Sequence, residues 1–187
     1  MSSTASPYGL VPVNHPSGVV RPFAMTILTG YASTIYQNSP VKIIASSTGE
    51  GTIAVASAGD SSVGTFQGVE WTDTDGKRRV SNKWTASTAG TDIVAYVTLD
   101  QAITYQIQSD AALNVTDIGK QYNFSAPGGN ATTGISSQSL NVASATTNAN
   151  VRLIGIVPGP DNAWGDTYVN ALVQLSLHQN TANVAAY

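Results

Sequence analysis

From Pro40 onward, short runs of β-branched and aromatic residues alternate with clusters of Gly, Asn, Asp and Ser. Short runs bounded by turn-forming residues are typical of the strands of an all-β sandwich or barrel. We therefore predict an all-β fold, a single β-barrel or jelly-roll-like sandwich, with at most one short helix near 111–118. The predicted strands lie at 41–46, 52–57, 64–72, 78–85, 92–99, 103–108, 151–157 and 167–178.

Charged residues are scarce in this chain. Only 10% of its 187 residues are charged and the net charge is −3, whereas about a quarter of a typical soluble domain is charged. The polar residues that take their place include Ser, Thr and Asn, which disfavour long helices because they compete for backbone hydrogen bonds. Coat, fibre and adhesin proteins often have this composition, and its slightly acidic balance gives no general attraction for nucleic acid.

Several kinds of chemistry are disfavoured by the residues present. The chain has no cysteine, so it has neither disulfides nor thiolate metal ligands. It contains no nucleophile elbow, P-loop, dinucleotide-binding motif or zinc-protease motif. We interpret His15 and His178 as structural residues, and 73–76 as a charged turn, because the further oxygen ligands of a calcium loop are missing. We therefore expect no enzyme activity, no cofactor and no metal.

The start of the chain lacks the basic and apolar regions of a signal peptide. No apolar run approaches the roughly 18 residues of a membrane span. We therefore expect synthesis in a host cytoplasm and no membrane partner. Three glycosylation sequons, at Asn114, Asn123 and Asn130, are interpreted as chance matches in a chain rich in Ser and Thr.

The N-terminal segment is rich in proline. Prolines at this spacing disfavour both a helix and a central strand and favour extended backbone. We therefore predict an extended Pro-rich N-terminal arm over 1–30 and a body over 31–187. Large apolar residues are unexpected in a solvated arm, so we expect it to dock on the subunit's own core or on a neighbouring chain. The prolines are Pro7, Pro12, Pro16 and Pro22, and the apolar residues are Tyr8, Leu10, Val11 and Val13.

The clearest local unit is a hairpin around Asp75 and Gly76, a dipeptide that is preferred in two-residue type I′ turns. With these two residues as the loop, Trp71 faces Val80 across the hairpin, and Trp84 falls on the same face. The opposite face then carries Glu70, Thr72, Arg79, Ser81 and Lys83.

The same hairpin concentrates half of the chain's eight basic residues, which predicts a local positive spot in a faintly acidic protein. This spot is either a solvated hairpin tip or a contact with an acidic surface of a partner. Nucleic acid is disfavoured as a partner because no aromatic stacking platform accompanies the charges. The basic residues are Lys77, Arg78, Arg79 and Lys83.

Three other segments lack a strand pattern. The small polar residues at 126–150 predict a long polar loop, which is able to extend across a neighbour. Trp164 lies in a loop rich in Pro and Gly, where it either caps the core or anchors an interface. The tail at 180–187 is predicted to be a short extension.

A series of segments resembles, in the same order, small head proteins of tailed bacteriophages, which are described as virion structural, decoration or cement proteins. The resemblance covers most of the chain from Pro7 to Gln179. It rests on hairpin patterns such as G-x-F-x-G followed by a D-G turn and a Trp. The segments are SPYGLVPVNHPSG, TIYQNSPVKI, VGTFQGVEWTDTDGKRRVSNKW, DIVAYVTLDQAITYQIQSDA with DIGKQYNF, and VRLIGIVPGPDNAWGDTYVNALVQLSLHQ.

The resemblance implies a β-barrel or jelly-roll-like body, often a homotrimer, on the exterior of a phage capsid where major capsid protein subunits meet. It therefore implies a capsid decoration (cement) protein that stabilises the head, and it carries no catalytic residue. The alternative is a tail-fibre or adhesin-type head that binds host glycan through an aromatic platform, for example Trp164 with Tyr168. A polysaccharide hydrolase would need two convergent carboxylates. Candidate contact residues are Tyr8, Leu10, Val11, Val13, His15, Lys77, Arg78, Arg79 and Trp164.

Overall fold

The computed structural model describes residues 4–46 and 51–181, and the predicted all-β class is confirmed. One 3-10 turn, Val115–Asp117, lies among the strands. Within the described ranges, no helix is long and apolar enough to cross a membrane. The strands are β1 (Val11–Asn14), β2 (Pro22–Ile27), β3 (Pro40–Ile43), β4 (Thr52–Val55), β5 (Gly64–Asp73), β6 (Arg78–Ser81), β7 (Gly90–Thr98), β8 (Thr104–Gln108), β9 (Gln121–Phe124), β10 (Leu140–Thr146), β11 (Val151–Ile156) and β12 (Asn170–Leu175).

Five strands close into a β-barrel in the order β3-β4-β2-β7-β5, because β5 also pairs with β3. β2 and β4 run parallel, and the other neighbours run antiparallel. Closure removes the free edges of these strands, so β6, which pairs with β5, forms the remaining edge. The barrel core consists of Ile27, Ile35, Val41, Ile53, Val63, Phe66, Val69, Trp84, Ala95 and Val97.

The other six strands form a second sheet in the order β1-β8-β12-β11-β9-β10. Side chains alternate between its two faces, as strand geometry requires: Tyr105 and Ile107 are buried, whereas Gln106 between them is half-buried. The chain therefore contains both a closed barrel and a sheet packed beside it. The core of the second sheet consists of Leu10, Ile103, Tyr105, Ile107, Leu113, Tyr122, Phe124, Leu140, Val151, Leu153, Val169, Ala171 and Val173.

The barrel and the second sheet meet along a polar interface. The Thr98 hydroxyl oxygen on β7 lies 3.3 Å from the Tyr105 hydroxyl oxygen on β8. The side-chain amide of Asn150 donates to the carbonyl of Asp60 at 2.7 Å. This polar seam joins two apolar cores that form separate clusters. Its buried side chains include Thr98, Tyr105, Gln138, Asn150 and His178.

The eight strands predicted from the alternation of apolar runs and turns are present as β3 to β8, β11 and β12. Their ends differ from the predictions by a few residues. Four strands, β1, β2, β9 and β10, escaped prediction. Their patterns are weak because prolines lie in β1 and β2, and because β9 and β10 contain Asn, Gln or Ser.

The separate N-terminal arm predicted over 1–30 is not confirmed. β1 pairs with β8, and β2 lies between β4 and β7 in the barrel. Prolines fit here because Pro12 lies in an edge strand beside a bulge and Pro22 is the first residue of β2. At such positions the strand does not need the N–H group that proline lacks, so few hydrogen bonds between strands are lost. The segment therefore docks on the subunit's own core, which is one of the two alternatives that the sequence left open.

Leu10 shows that this segment is part of the core. Its side chain is 0% exposed, whereas that of Val13 is 44% exposed. We expect Leu10→Ala to lower the free energy of unfolding by about 3 kcal/mol, because truncating a buried leucine leaves a cavity. Val13→Ala is the control and should cost less than about 0.5 kcal/mol. Urea denaturation measures both, and equal midpoints for the two variants would show that the segment contributes nothing to the core.

The hairpin between β5 and β6 has a three-residue loop in place of the predicted two-residue loop. The N–H of Asp73 donates to the carbonyl of Lys77 at 2.9 Å, which leaves three residues between them. Gly76, the last of the three, has a φ of 77°, and three-residue loops place a left-handed residue at this point. The Asp-Gly pair located the hairpin correctly, but it is compatible with both loop lengths.

The longer loop shifts the register of β6 by one residue, so the predicted pairing was wrong. Trp71 pairs with Arg79, and Glu70 pairs with Val80. A shift of one residue turns every side chain of a strand to the opposite face, so Val80 lies on the face of Glu70. The rings of Trp71 and Trp84, which were predicted to share one face, meet edge to face with centroids 5.5 Å apart.

The predicted polar loop at 126–150 is ordered along part of its length. β10 lies within it, its first residue Leu140 is in the core, and Ile135 forms an isolated bridge with Gln37. The helix predicted near 111–118 is a single 3-10 turn. Of the predicted tail at 180–187, residues 182–187 lie outside the described residues.

Candidate interaction surfaces

The predicted contact residues of the N-terminal segment differ in accessibility. Leu10 lies in the core and is covered by its own subunit, so it presents no surface to another chain in this structure. Val11 is half-buried. His15 is largely covered, and its Nε2 lies 3.1 Å from Oδ2 of Asp100. Val13 is therefore the apolar residue of this group that offers an accessible surface.

Tyr8 is held by hydrogen bonds within the subunit. Its hydroxyl accepts from Nε2 of Gln106 at 2.6 Å and donates to Oδ1 of Asn170 at 2.9 Å. Burial raises the pKa of Tyr8 to about 12, so the hydroxyl stays protonated at neutral pH. Tyr8 therefore fixes the N-terminal segment to β8 and β12.

Two of the basic residues in the predicted positive spot, Arg79 and Lys77, are paired with carboxylates at the hairpin tip. Arg79 lies 3.0 Å from Oδ2 of Asp75 and 3.3 Å from Oδ2 of Asp73. Nζ of Lys77 lies 3.7 Å from Oδ2 of Asp75. Exposed ion pairs of this kind contribute little to stability, but they cancel the local charge. The tip therefore offers no excess positive charge to an acidic partner.

Arg78, the third predicted basic contact, is also paired within the subunit. Its Nη2 lies 3.1 Å from Oε1 of Glu70, and its Nη1 donates to the carbonyl of Asp92 at 2.8 Å. The hydroxyl of Tyr96 donates to the same Oε1 at 2.8 Å. The hydrogen bond from Tyr96, together with that from Arg78, lowers the pKa of Glu70. Glu70 is therefore ionised at neutral pH, and its Oε1 is already paired with Arg78 and Tyr96.

Apolar side chains lie around this paired charge on the outside of the barrel. Val80 is 77% exposed, and the strand register places Glu70 between Val80 and Val94. Interface cores are depleted in most charged residues, but tyrosine and arginine are enriched there and at binding hot spots. These properties make this surface the leading candidate for a contact with another protein. We call it the hairpin face, and it consists of Glu70, Arg78, Val80, Val94 and Tyr96.

The hairpin face ends at β6, an edge strand whose backbone is regular. The edge strands of the second sheet are interrupted: β1 contains Pro12 and a shift in register, and β10 contains a shift in register. Prolines and bulges protect edge strands from pairing with other chains. β6 has neither of these, and both of its arginines are engaged with acidic side chains. In the described ranges, β6 is therefore the least protected sheet edge.

Trp164 is partly buried and packs against the core of the second sheet. The N–H of Gly165 beside it donates to the carbonyl of Leu113 at 2.8 Å, which fixes the loop. Of the two interpretations of Trp164, capping of the core is the one that this packing favours. Tyr168 is half-buried, so the pair does not form the flat, exposed aromatic platform that a glycan-binding head would use.

A Ser-His-Asp arrangement occurs in the loop that follows β1. Oγ of Ser17 lies 2.6 Å from Nδ1 of His15, whose Nε2 faces Asp100. Acyl transfer also needs a free donor for the oxyanion. The N–H of Gly18 is already bonded to the His15 carbonyl, and the N–H of Ser17 is bonded to Nδ1 of His15. We therefore interpret this arrangement as a turn that His15 stabilises.

Neither a metal site in the described residues nor a similar protein indicates a function. In residues 4–46 and 51–181, no group of three or more His, Asp or Glu side chains could hold a metal ion. No family model matches the chain, and no match was found among the curated proteins or the solved structures.

Proposed function

We propose that this chain is a structural virion protein that binds the outer surface of a phage capsid and stabilises it by bridging major capsid subunits. The hairpin face is the observation that carries the proposal, because it combines exposed apolar groups with charges that are already paired. The resemblance of the chain to small head proteins of tailed phages supports the same function. In this proposal the protein acts as a homotrimer on the capsid exterior.

The proposed mechanism involves binding and no chemical reaction. A protein that binds the assembled shell more tightly than it binds free capsid subunits shifts the assembly equilibrium towards the shell. Many symmetric copies multiply modest contacts through avidity. Since Glu70 and Arg78 are paired with each other, the capsid need not supply a counter-charge to the hairpin face. Val80 and Tyr96 provide apolar contact area there, and Val13 provides a second, smaller contact.

We expect Val80→Asp to lower the affinity of the protein for purified capsids of its source particle about ten-fold or more. The reason is that it places a new charge on the most exposed apolar residue of the hairpin face, in a contact from which water is excluded. Occupancy is measured by co-sedimentation of the protein with capsids that lack it. Cryo-electron microscopy of the same particles then locates each copy.

Val115→Asp is the matched control, because Val115 is 58% exposed but lies in the 3-10 turn, away from the hairpin face. Its occupancy should equal that of the unchanged protein, and light scattering should give the mass of a trimer for both variants. Equal occupancy for Val80→Asp and Val115→Asp would show that the hairpin face does not contact the capsid. Absence of binding by the unchanged protein would overturn the proposed function itself.

A further inference from the structure

One carboxylate influences both histidines of the chain. Asp100, in the turn between β7 and β8, lies 3.1 Å from Nε2 of His15, and its charge also acts on His178. A hydrogen bond from the N–H of Ala102, assisted by the charges of both histidines, lowers the pKa of Asp100. The carboxylate therefore stays ionised in mild acid, whereas histidine is the side chain that ordinarily titrates there.

His178 lies in the polar seam with its ring arranged for the neutral form. Its side chain is buried, and its Nδ1 accepts the N–H of Asn180 at 3.1 Å. The proton of the neutral ring is therefore assigned to Nε2. Nε2 has no partner at hydrogen-bond geometry among the described residues, although the carbonyls of Val63 and Leu99 face the ring. If Nδ1 were protonated, its N–H would face the N–H of Asn180, and the hydrogen bond between the two residues would be lost.

The segment that carries His178 ties the second sheet to the barrel. The N–H of Ser62 donates to the carbonyl of Leu177 at 2.8 Å, and the N–H of Gln179 donates to the carbonyl of Ser62 at 3.0 Å. The side chain of Gln179 adds two bonds to the backbone of Ile43, at 2.6 Å and 3.0 Å. We call residues 177–179 the C-terminal clasp. It crosses from the end of β12 to the barrel, to which these four hydrogen bonds connect it.

We propose that the C-terminal clasp is a pH-sensitive device: uptake of a proton from solvent by Nδ1 of His178 releases the clasp from the barrel. The bond from Asn180 is lost in this step, and the charged ring moves to water, where it is hydrated. Asp100 is the ionisable group that faces the ring and favours its charge, whereas Ser62 and Asn180 on the neighbouring segments are neutral. This device is independent of the capsid-binding function proposed above.

The direction of the effect follows from burial. Desolvation lowers the pKa of His178 in the folded chain, despite the opposing influence of the two carbonyls and of Asp100. The released clasp therefore binds a proton more readily than the docked clasp. The docked state is fully favoured above the pKa of a solvated histidine, about 6.5, and loses stability as the pH falls below it.

Amide hydrogen exchange of Ser62 and Gln179, corrected for the intrinsic effect of pH, measures release of the clasp. We expect the opening equilibrium at about pH 5 to exceed that at about pH 7.5 by at least about five-fold, while amides of the barrel core change little. His178→Asn, whose side-chain oxygen can accept the Asn180 N–H, should abolish the change. His15→Asn, at the other histidine beside Asp100, should retain it.

Equal pH dependence in His178→Asn and in the unchanged protein would overturn the proposal. A second measurement needs no variant: the ring protons of His178, followed by NMR in the unchanged protein, should titrate below the pH range of a solvated histidine. Titration within or above that range would overturn the proposal, even where His178→Asn fails to fold.

Discussion

Gly64→Ala is expected to lower the free energy of unfolding by more than about 4 kcal/mol. Gly64 begins β5 at the point where this strand pairs with β3, which closes the barrel. Its φ is +155°, and a Cβ atom added there would lie 1.5 Å from the carbonyl oxygen of Thr98. Because that atom belongs to the backbone of β7, no side-chain rotation relieves the clash. The strands must separate, and the closure between Val41 and Gly64 is lost.

Urea denaturation followed by far-UV circular dichroism measures this effect. Gly155→Ala is the matched control, because a Cβ atom there meets nothing within 4 Å. Its free energy of unfolding should stay within about 0.5 kcal/mol of the unchanged protein. A Gly64→Ala protein that unfolds at the same urea concentration as Gly155→Ala would show that the barrel does not close at Gly64.

Asn150→Ala is expected to cost about 4 kcal/mol, because its side chain satisfies backbone groups from both halves of the fold. The amide is 0% exposed. Its Oδ1 accepts the N–H groups of Gly59 and Phe124 at 3.1 Å and 3.2 Å. Its Nδ2 donates to the carbonyls of Ser57 and Asp60 at 3.3 Å and 2.7 Å. Phe124 is buried, so leaving its N–H without a partner costs about 1 to 3 kcal/mol, and each of the other three lost bonds costs about 0.5 to 1.5 kcal/mol.

Asn148→Ala is the control for this prediction, since Asn148 is two residues away but exposed. It should leave the urea midpoint within experimental error of the unchanged protein. If the polar seam couples the two cores, Asn150→Ala also lowers the cooperativity of unfolding, so that probes in the barrel and in the second sheet report different midpoints. Coincident, unshifted transitions in both variants would contradict the role assigned to Asn150.

The candidate surface was only partly predictable from the sequence. Arg78 and Arg79 were identified as a pair of basic residues, but their neutralisation depends on which strand positions face them. The one-residue shift in the hairpin brings Arg79 to Asp73 and Asp75, and it turns Val80 outwards. Loop length sets this register, and the Asp-Gly dipeptide does not define that length uniquely.

The sequence did not predict that Asn150 and His178 lie in the polar seam between the barrel and the second sheet, and the reason is a different one. Asn150 lies in a polar segment where nothing in the sequence distinguishes it from the exposed Asn148. Its four side-chain bonds join residues about 26 to 93 positions apart. Similarly, Asp100 influences both His15 and His178 only because the first and last strands lie on either side of β8. No local pattern carries such information.

The sequence by itself determined the all-β class, the eight strongest strands and the absence of thiol chemistry. These properties follow from side-chain alternation, turn residues and composition, which act between near neighbours in the chain. Only the tertiary structure decided that the proline-rich segment is part of the fold, that the basic tip is neutral and that a polar seam joins two cores. Each of these depends on contacts between distant residues, such as the bond between Tyr8 and Gln106, 98 positions apart.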